Sequence, residues 1–216
     1  MTLSAFFVSV FSSLLLGFGS VLAWNHAPAA WICERGTAPE PAANQKLTAP
    51  IPSGLLFSLP FFMLLLKQDA TLSFERFVPA AAVLLSLIQL TVCDIRYRIL
   101  QDQWILFLAG AGLLFQVAAP ARAAGLILPL GIYAACFLIA RSARRPLGLG
   151  AGDAKLAAGL GFAFGAADMA AILCHASLLA GLWALFLLLT KKAAKGDRMA
   201  FGPFAALACC FYLLSI

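Results

Sequence analysis

Residues 80–103 read AAAVLLSLIQLTVCDIRYRILQDQ. No charge interrupts the run from Ala80 to Cys93, and Asp94 follows it directly. Such a run is an apolar span that stops at a polar boundary. Similar runs recur along the whole chain. Of its 216 residues, 63% are hydrophobic and only 11% are charged, well outside the composition of a soluble domain. The predicted fold class is therefore all-α, a polytopic helical membrane protein with about eight transmembrane segments. They are expected near 3–24, 54–66, 77–93, 104–118, 124–140, 156–166, 169–190 and 200–216. A single membrane-embedded domain then fills residues 1–216. The first run, MTLSAFFVSVFSSLLLGFGSVLAW, lacks a basic start and is too long in its apolar part for a secretory signal. It reads as a retained span.

Charge sets the orientation. If loops 25–53, 94–103, 141–155 and 191–198 face the cytoplasm, they hold twelve of the 15 Lys and Arg residues. Only Lys67, Arg76 and Arg122 remain outside, which is a clear positive-inside asymmetry. Topology thus accounts for the basic excess, and no nucleic-acid partner is needed. The same count splits 156–190 into a hairpin turning near Asp168, because one span there would put KKAAKGDR outside. The six cysteines form no CxxC pair, and the five in or beside apolar runs read as lipid-buried or helix-packed thiols, with no metal site expected. His175, inside AILCHASLLAGLW, reads as a hydrogen-bonded interior histidine.

Acids are rare, so their places carry information. Glu34, Glu40, Asp69, Glu75 and Asp197 fall in hydrophilic loops, where solvation suffices. Asp94 ends one apolar run, and Asp153 begins another within RRPLGLGAGDAKLAAGLG, residues 144–161. On the topology above both meet the bilayer at its cytoplasmic edge. A carboxylate there is costly unless paired, wet or neutralised. One reading has each acid snorkelling beside a basic neighbour, Arg96 or Lys155. The other brings the two together, so that one ionises while its partner keeps a proton. That pair has the means to activate water and protonate a leaving group. Gly148, Gly150 and Gly152 would allow unusual φ/ψ values and close approach of an extended substrate. No Ser-His-Asp arrangement, HExxH motif or phosphate-binding loop competes.

These motifs resemble the type IV leader peptidases, or prepilin peptidases, among the GxGD-type intramembrane aspartyl proteases. Gly150 to Asp153 matches GxGD, and Lys155 and Leu156 continue it as in GxGDxKL. CDIRYRILQDQW resembles the segment of the family's first aspartate, with Asp94 as catalytic candidate and Asp102 at the later acidic position. Gln101 stands where the family usually has proline. MAFGPFAAL, residues 199–207, resembles the closing FGPF segment, with Phe201, Gly202 and Pro203 as site-shaping candidates. That segment either lines a substrate groove or is a Pro-kinked helix start. Likewise, Lys155 either biases the acids or merely snorkels.

The resemblance implies catalysis by Asp94 and Asp153, with Gly150, Gly152, Lys155 and Asp102 shaping the site. It implies cleavage of the basic leader from a type IV prepilin or type II secretion pseudopilin at the cytoplasmic face of a bacterial inner membrane. Peptide hydrolysis of this kind needs no cofactor. Longer members carry a zinc-binding insert linked to N-methylation. Here the short loop 25–53 stands in its place, with Cys33 alone, so no zinc is expected. S-adenosylmethionine would be needed only if methyl transfer is retained. Two other classes stay open: a small transporter or channel using Asp94 and Asp153 as proton or cation sites, and a non-catalytic secretion-assembly subunit. Oligomeric state is not readable.

Overall fold

The computed structural model describes residues 3–28, 47, 49–68, 74–144, 150–192 and 199–215. Most of loop 25–53, including Cys33, lies outside them, as do Gly148 and much of the basic loop 191–198. Among the described residues there are eight helices and no strand. They are α1 Leu3–Asn25, α2 Pro50–Gln68, α3 Phe74–Tyr97, α4 Asp102–Gly112, α5 Ala119–Ser142, α6 Ala151–Phe164, α7 Ala166–Leu189 and α8 Gly202–Ser215. Their order matches the predicted spans one for one.

The eight helices expected as spans differ in length. Five helices, α1, α2, α3, α5 and α7, are long and apolar enough to cross a membrane. The chain is a multi-pass helical membrane protein. The α4, α6 and α8 helices have 11, 14 and 14 residues. At 1.5 Å per residue they reach about 16–21 Å, short of the ~30 Å apolar core. Apolar runs alone could not separate short helices from spans, because protein can replace lipid around them. The α6 helix shows this: nine of its 14 residues are buried. The α3 helix is the central long one, with 72% of its apolar window buried against 11% in α5. Lipid-facing side chains thus dominate α5, while α3 serves the core.

A break between α6 and α7 is present, at Gly165 rather than at Asp168. Gly165 has φ +89°, a left-handed value that side chains rarely adopt. Asp168 lies in the first turn of α7. His175 also differs from expectation. Its Nδ1 is 2.7 Å from the Ala171 carbonyl oxygen, yet the residue is exposed on α7. The ring meets the backbone bond expected of it without entering the core.

Small residues draw α6 against its neighbours. At the crossing with α5, Gly125 faces Gly161, and a Cβ on either would overlap the other's carbonyl oxygen. Close backbone approach of this kind is a general device for packing helices in lipid. Arg122 closes the same end of the bundle. Its guanidinium donates to the carbonyls of Gly112 and Phe162, each at 2.9 Å, and of Phe115 at 2.6 Å. It also lies 5.6 Å from the Phe162 ring centre. One cation thereby joins the end of α4, the loop after it, α5 and α6. Hydrogen bonds from a charged donor contribute about 1.5–3 kcal/mol each, so Arg122→Met is expected to cost about 3 kcal/mol. Unfolding in detergent measures this, and a loss under about 0.5 kcal/mol would contradict the clip.

Candidate active site

At the opposite end of α6, the C-terminus of α3 meets the N-termini of α6 and α8. The α3 helix stops because Arg98 turns left-handed, at φ 56°, while its N–H donates to the Asp94 carbonyl at 3.0 Å. The last helical turn therefore places Asp94 at the edge of the bundle. Asp94 is 6% exposed. Its Oδ2 accepts the Gly202 N–H at 2.6 Å, across 108 residues of sequence. The start of α8 has unused N–H groups and the positive end of the helix dipole, so a carboxylate is stabilised there. Asp94 supplies that carboxylate from another helix.

This contact places FGPF at the start of a helix. Gly202 opens α8, and Pro203 follows where a missing N–H costs nothing. The segment is a helix start, and that start grips Asp94. A Cβ on residue 202 would lie 2.9 Å from Asp94 Oδ2 and 3.2 Å from Asp94 Cβ. Glycine is what lets the backbone come this close. Phe201, just before the helix, packs partly buried against the core.

Asp153 occupies the first turn of α6, three residues after its N-cap Gly150. Its carboxylate turns back toward Gly150, whose N–H acts on it. This is the returning half of a capping box. Gly150 and Gly152 serve close approach, not unusual dihedrals. Gly150 has φ −72° and ψ 138°, values open to any residue. A Cβ on Gly150 would lie 2.8 Å from Asp153 Oδ2, and one on Gly152 would meet the Leu100 side chain at 3.2 Å. The α3–α4 connection therefore lies directly against the turn that carries Asp153.

Asp94 and Asp153 are close enough to act on each other electrostatically. Burial, and after it the charge of Asp94, raises the pKa of Asp153 above its ordinary value, while the Gly150 N–H opposes the rise. Among the described residues, neither acid forms the salt bridge that snorkelling would give. Lys155 pairs instead with Asp102, with Nζ 2.7 and 3.0 Å from its two carboxylate oxygens. Both partners are about half exposed, so the bridge is a weak clasp between α4 and α6. The Lys155–Asp102 pairing joins two sequence candidates in a way their spacing did not suggest. Two acids thus converge from helices that are far apart in sequence, on a glycine-smoothed edge.

The family model for type IV leader peptidases matches residues 81–185. Residues 81–185 belong to the type IV leader peptidase family. The matched region contains both Asp94 and Asp153, together with Asp102 and Lys155. A match to this family indicates a peptidase, and so a hydrolase. Gly202 lies beyond the matched residues and joins the acids only in space. No curated protein and no solved structure matches the chain.

Sequence reasoning placed Gly202 among the site-shaping residues but missed its hydrogen bond to Asp94. It also missed the burial of Gln101, which is 1% exposed, with neither side-chain amide atom hydrogen-bonded among the described residues. Its φ of −73° is one that proline also adopts. No signal in the sequence announced that burial. Among the described residues, no group of three or more His, Cys, Asp or Glu side chains is placed to hold a metal ion.

Proposed function

We propose that this leader peptidase is an aspartyl endopeptidase. Its substrates are type IV prepilins or type II secretion pseudopilins, cut at the cytoplasmic face of a bacterial inner membrane. The observation that carries this reading is the convergence of Asp94 and Asp153, two carboxyl groups within electrostatic reach of each other. In the reacting state the pair holds one proton. The ionised carboxylate takes a proton from water as the water attacks the scissile carbonyl. The protonated one then gives its proton to the leaving amine. The two acids titrate as a pair, so the roles belong to the dyad rather than to either residue.

Each carboxyl receives a backbone N–H, Asp94 from Gly202 and Asp153 from Gly150, a bond that strengthens when the carboxylate carries charge. Burial of Asp153 beside the charge of Asp94 supports a pair that keeps one proton. Hydrolysis by this route uses no cofactor. Methylation of the new N-terminus would need S-adenosylmethionine and is a separate activity.

The test is co-expression with a precursor having a basic leader, a glycine at its end and an apolar helix after it. Mass spectrometry reads loss of the leader and would show an added methyl group in the same spectrum. An unprocessed precursor, with both proteins in the same membrane, would overturn the proposal. A signature of the raised Asp153 is also expected in the pH profile. Activity falls as pH rises and the dyad loses its last proton. That alkaline limb lies above the ~3.9 of a free aspartate. A limb at or below that value would contradict the assignment.

A further inference from the structure

Among the described residues, three that are not glycine have left-handed backbone: Arg98 at φ 56°, Arg144 at φ 52° and Lys191 at φ 55°. All three are basic and exposed. Each ends one of the long apolar helices, α3, α5 or α7. The Lys191 N–H donates to the Leu188 carbonyl and the Lys192 N–H to that of Leu187, the paired bonds of a Schellman turn. Arg98 closes α3 by the simpler left-handed cap, through its N–H to the Asp94 carbonyl. Glycine is the usual residue at such positions, because a Cβ there is strained. A cation at all three, where glycine would be the relaxed choice, points to a use for the charge.

The three ends share one face. Gly125, early in α5, faces Gly161, late in α6. Phe186, late in α7, lines one hollow with Phe204, early in α8. The α5 and α7 helices therefore finish where α6 and α8 begin, and α3 brings Asp94 to that same end. Lipid reaches these ends. Only 11% of the apolar window of α5 and 17% of that of α7 are buried. Just before the turns, Ile139 and Leu189 are 69% and 74% exposed, and Ile95 on α3 is exposed as well. A lipid whose tail lies against these side chains carries its phosphate at the height of the cations. Among the described residues, none of the three cations forms a salt bridge.

We infer that Arg98, Arg144 and Lys191 bind the phosphates of anionic lipids and so fix the depth of the bundle. Lysine and arginine are attracted to an anionic leaflet in general. Here the charges are held by ordered turns at the ends of three spans, so the level at which they meet the phosphates sets the level of the helices. Asp94 lies four residues before Arg98, which places the acid about 6 Å deeper along α3. On the cleavage reading, phosphates bound there also offset the positive face that a basic leader meets.

The test measures lipid binding and needs no cleavage. The full chain in a neutral detergent is titrated with phosphatidylglycerol, and with phosphatidylcholine as control, while native mass spectrometry counts the bound lipids. Phosphatidylglycerol should be held about fivefold more tightly at each site. Arg98→Gly, Arg144→Gly and Lys191→Gly, combined, remove the charges while glycine keeps each turn. The preference should then fall below about twofold. The same positions changed to asparagine, which also tolerates the turn, should show the same loss. Ammonium phosphate should displace the lipid no better than ammonium acetate at equal ionic strength. Stronger displacement would make these free-anion sites and overturn the lipid assignment. So would an unmodified protein with no preference for phosphatidylglycerol, or a triple variant of unchanged helical content that keeps the full preference.

Discussion

Asp94→Asn and Asp153→Asn each lower cleavage of the precursor by about a thousandfold or more, and the double variant is scarcely worse than either single one. Asparagine keeps the shape of the side chain but neither takes nor gives the proton. General acid–base catalysis by a positioned group contributes about 10²–10⁴-fold. Groups that act as one unit lose nearly everything with the first deletion, so the effects do not add. In Asp94→Asn the new side-chain amide can still accept from the Gly202 N–H through its oxygen, so the fold should persist. Kinetics on purified, detergent-solubilised variants with unchanged helical content would check this. Retention of more than a tenth of the activity by either variant would remove the dyad from the mechanism. A transport role would then regain ground, and solute or ion flux would be the measurement to make.

Gly202→Ala is the second large effect, although it changes one methyl group and no charge. The added carbon would stand 2.9 Å from Asp94 Oδ2 and 3.4 Å from its Cγ. Either the carboxylate turns away or the start of α8 retreats. Both break the 2.6 Å bond that fixes the acid. A charge-assisted bond of this sort is about twice as strong as a neutral one. Misplacement of a catalytic group by about 1 Å can cost ~10²-fold, and kcat is expected to fall by about that factor. Because the change touches the carboxylate and leaves the other side chains of α8 as they are, KM should move less than about threefold. Equal losses in kcat and precursor binding would instead mean that α8 as a whole had shifted.

Much of this arrangement was legible in the sequence. Apolar runs located every helix among the described residues, because a helix facing lipid or a helical core must be apolar nearly throughout. The two acids stood out because carboxylates at the ends of such runs need a reason. What the runs could not reveal was length in the membrane. The α6 helix is as apolar as a span, yet it is wrapped by protein, and periodicity gives no hint of which apolar surface surrounds it. Contacts distant in sequence were equally hidden. Nothing near Gly202 signals that its N–H meets Asp94, and nothing near Lys155 selects Asp102 over Asp153. Arg122 looked like an ordinary external charge until its carbonyl partners were seen. Each of these depends on where backbones cross, which composition does not encode.

The hold of Gly202 on Asp94 has a temporal side. Ribosomes deliver this chain from its N-terminus, so α3 and α6 enter the membrane before α8 has been made. A chain halted ahead of residue 199 already owns both acids but lacks the amide that anchors one of them. On the proposed dyad, competence to cut is then conferred late, by a helix that contributes no acid of its own.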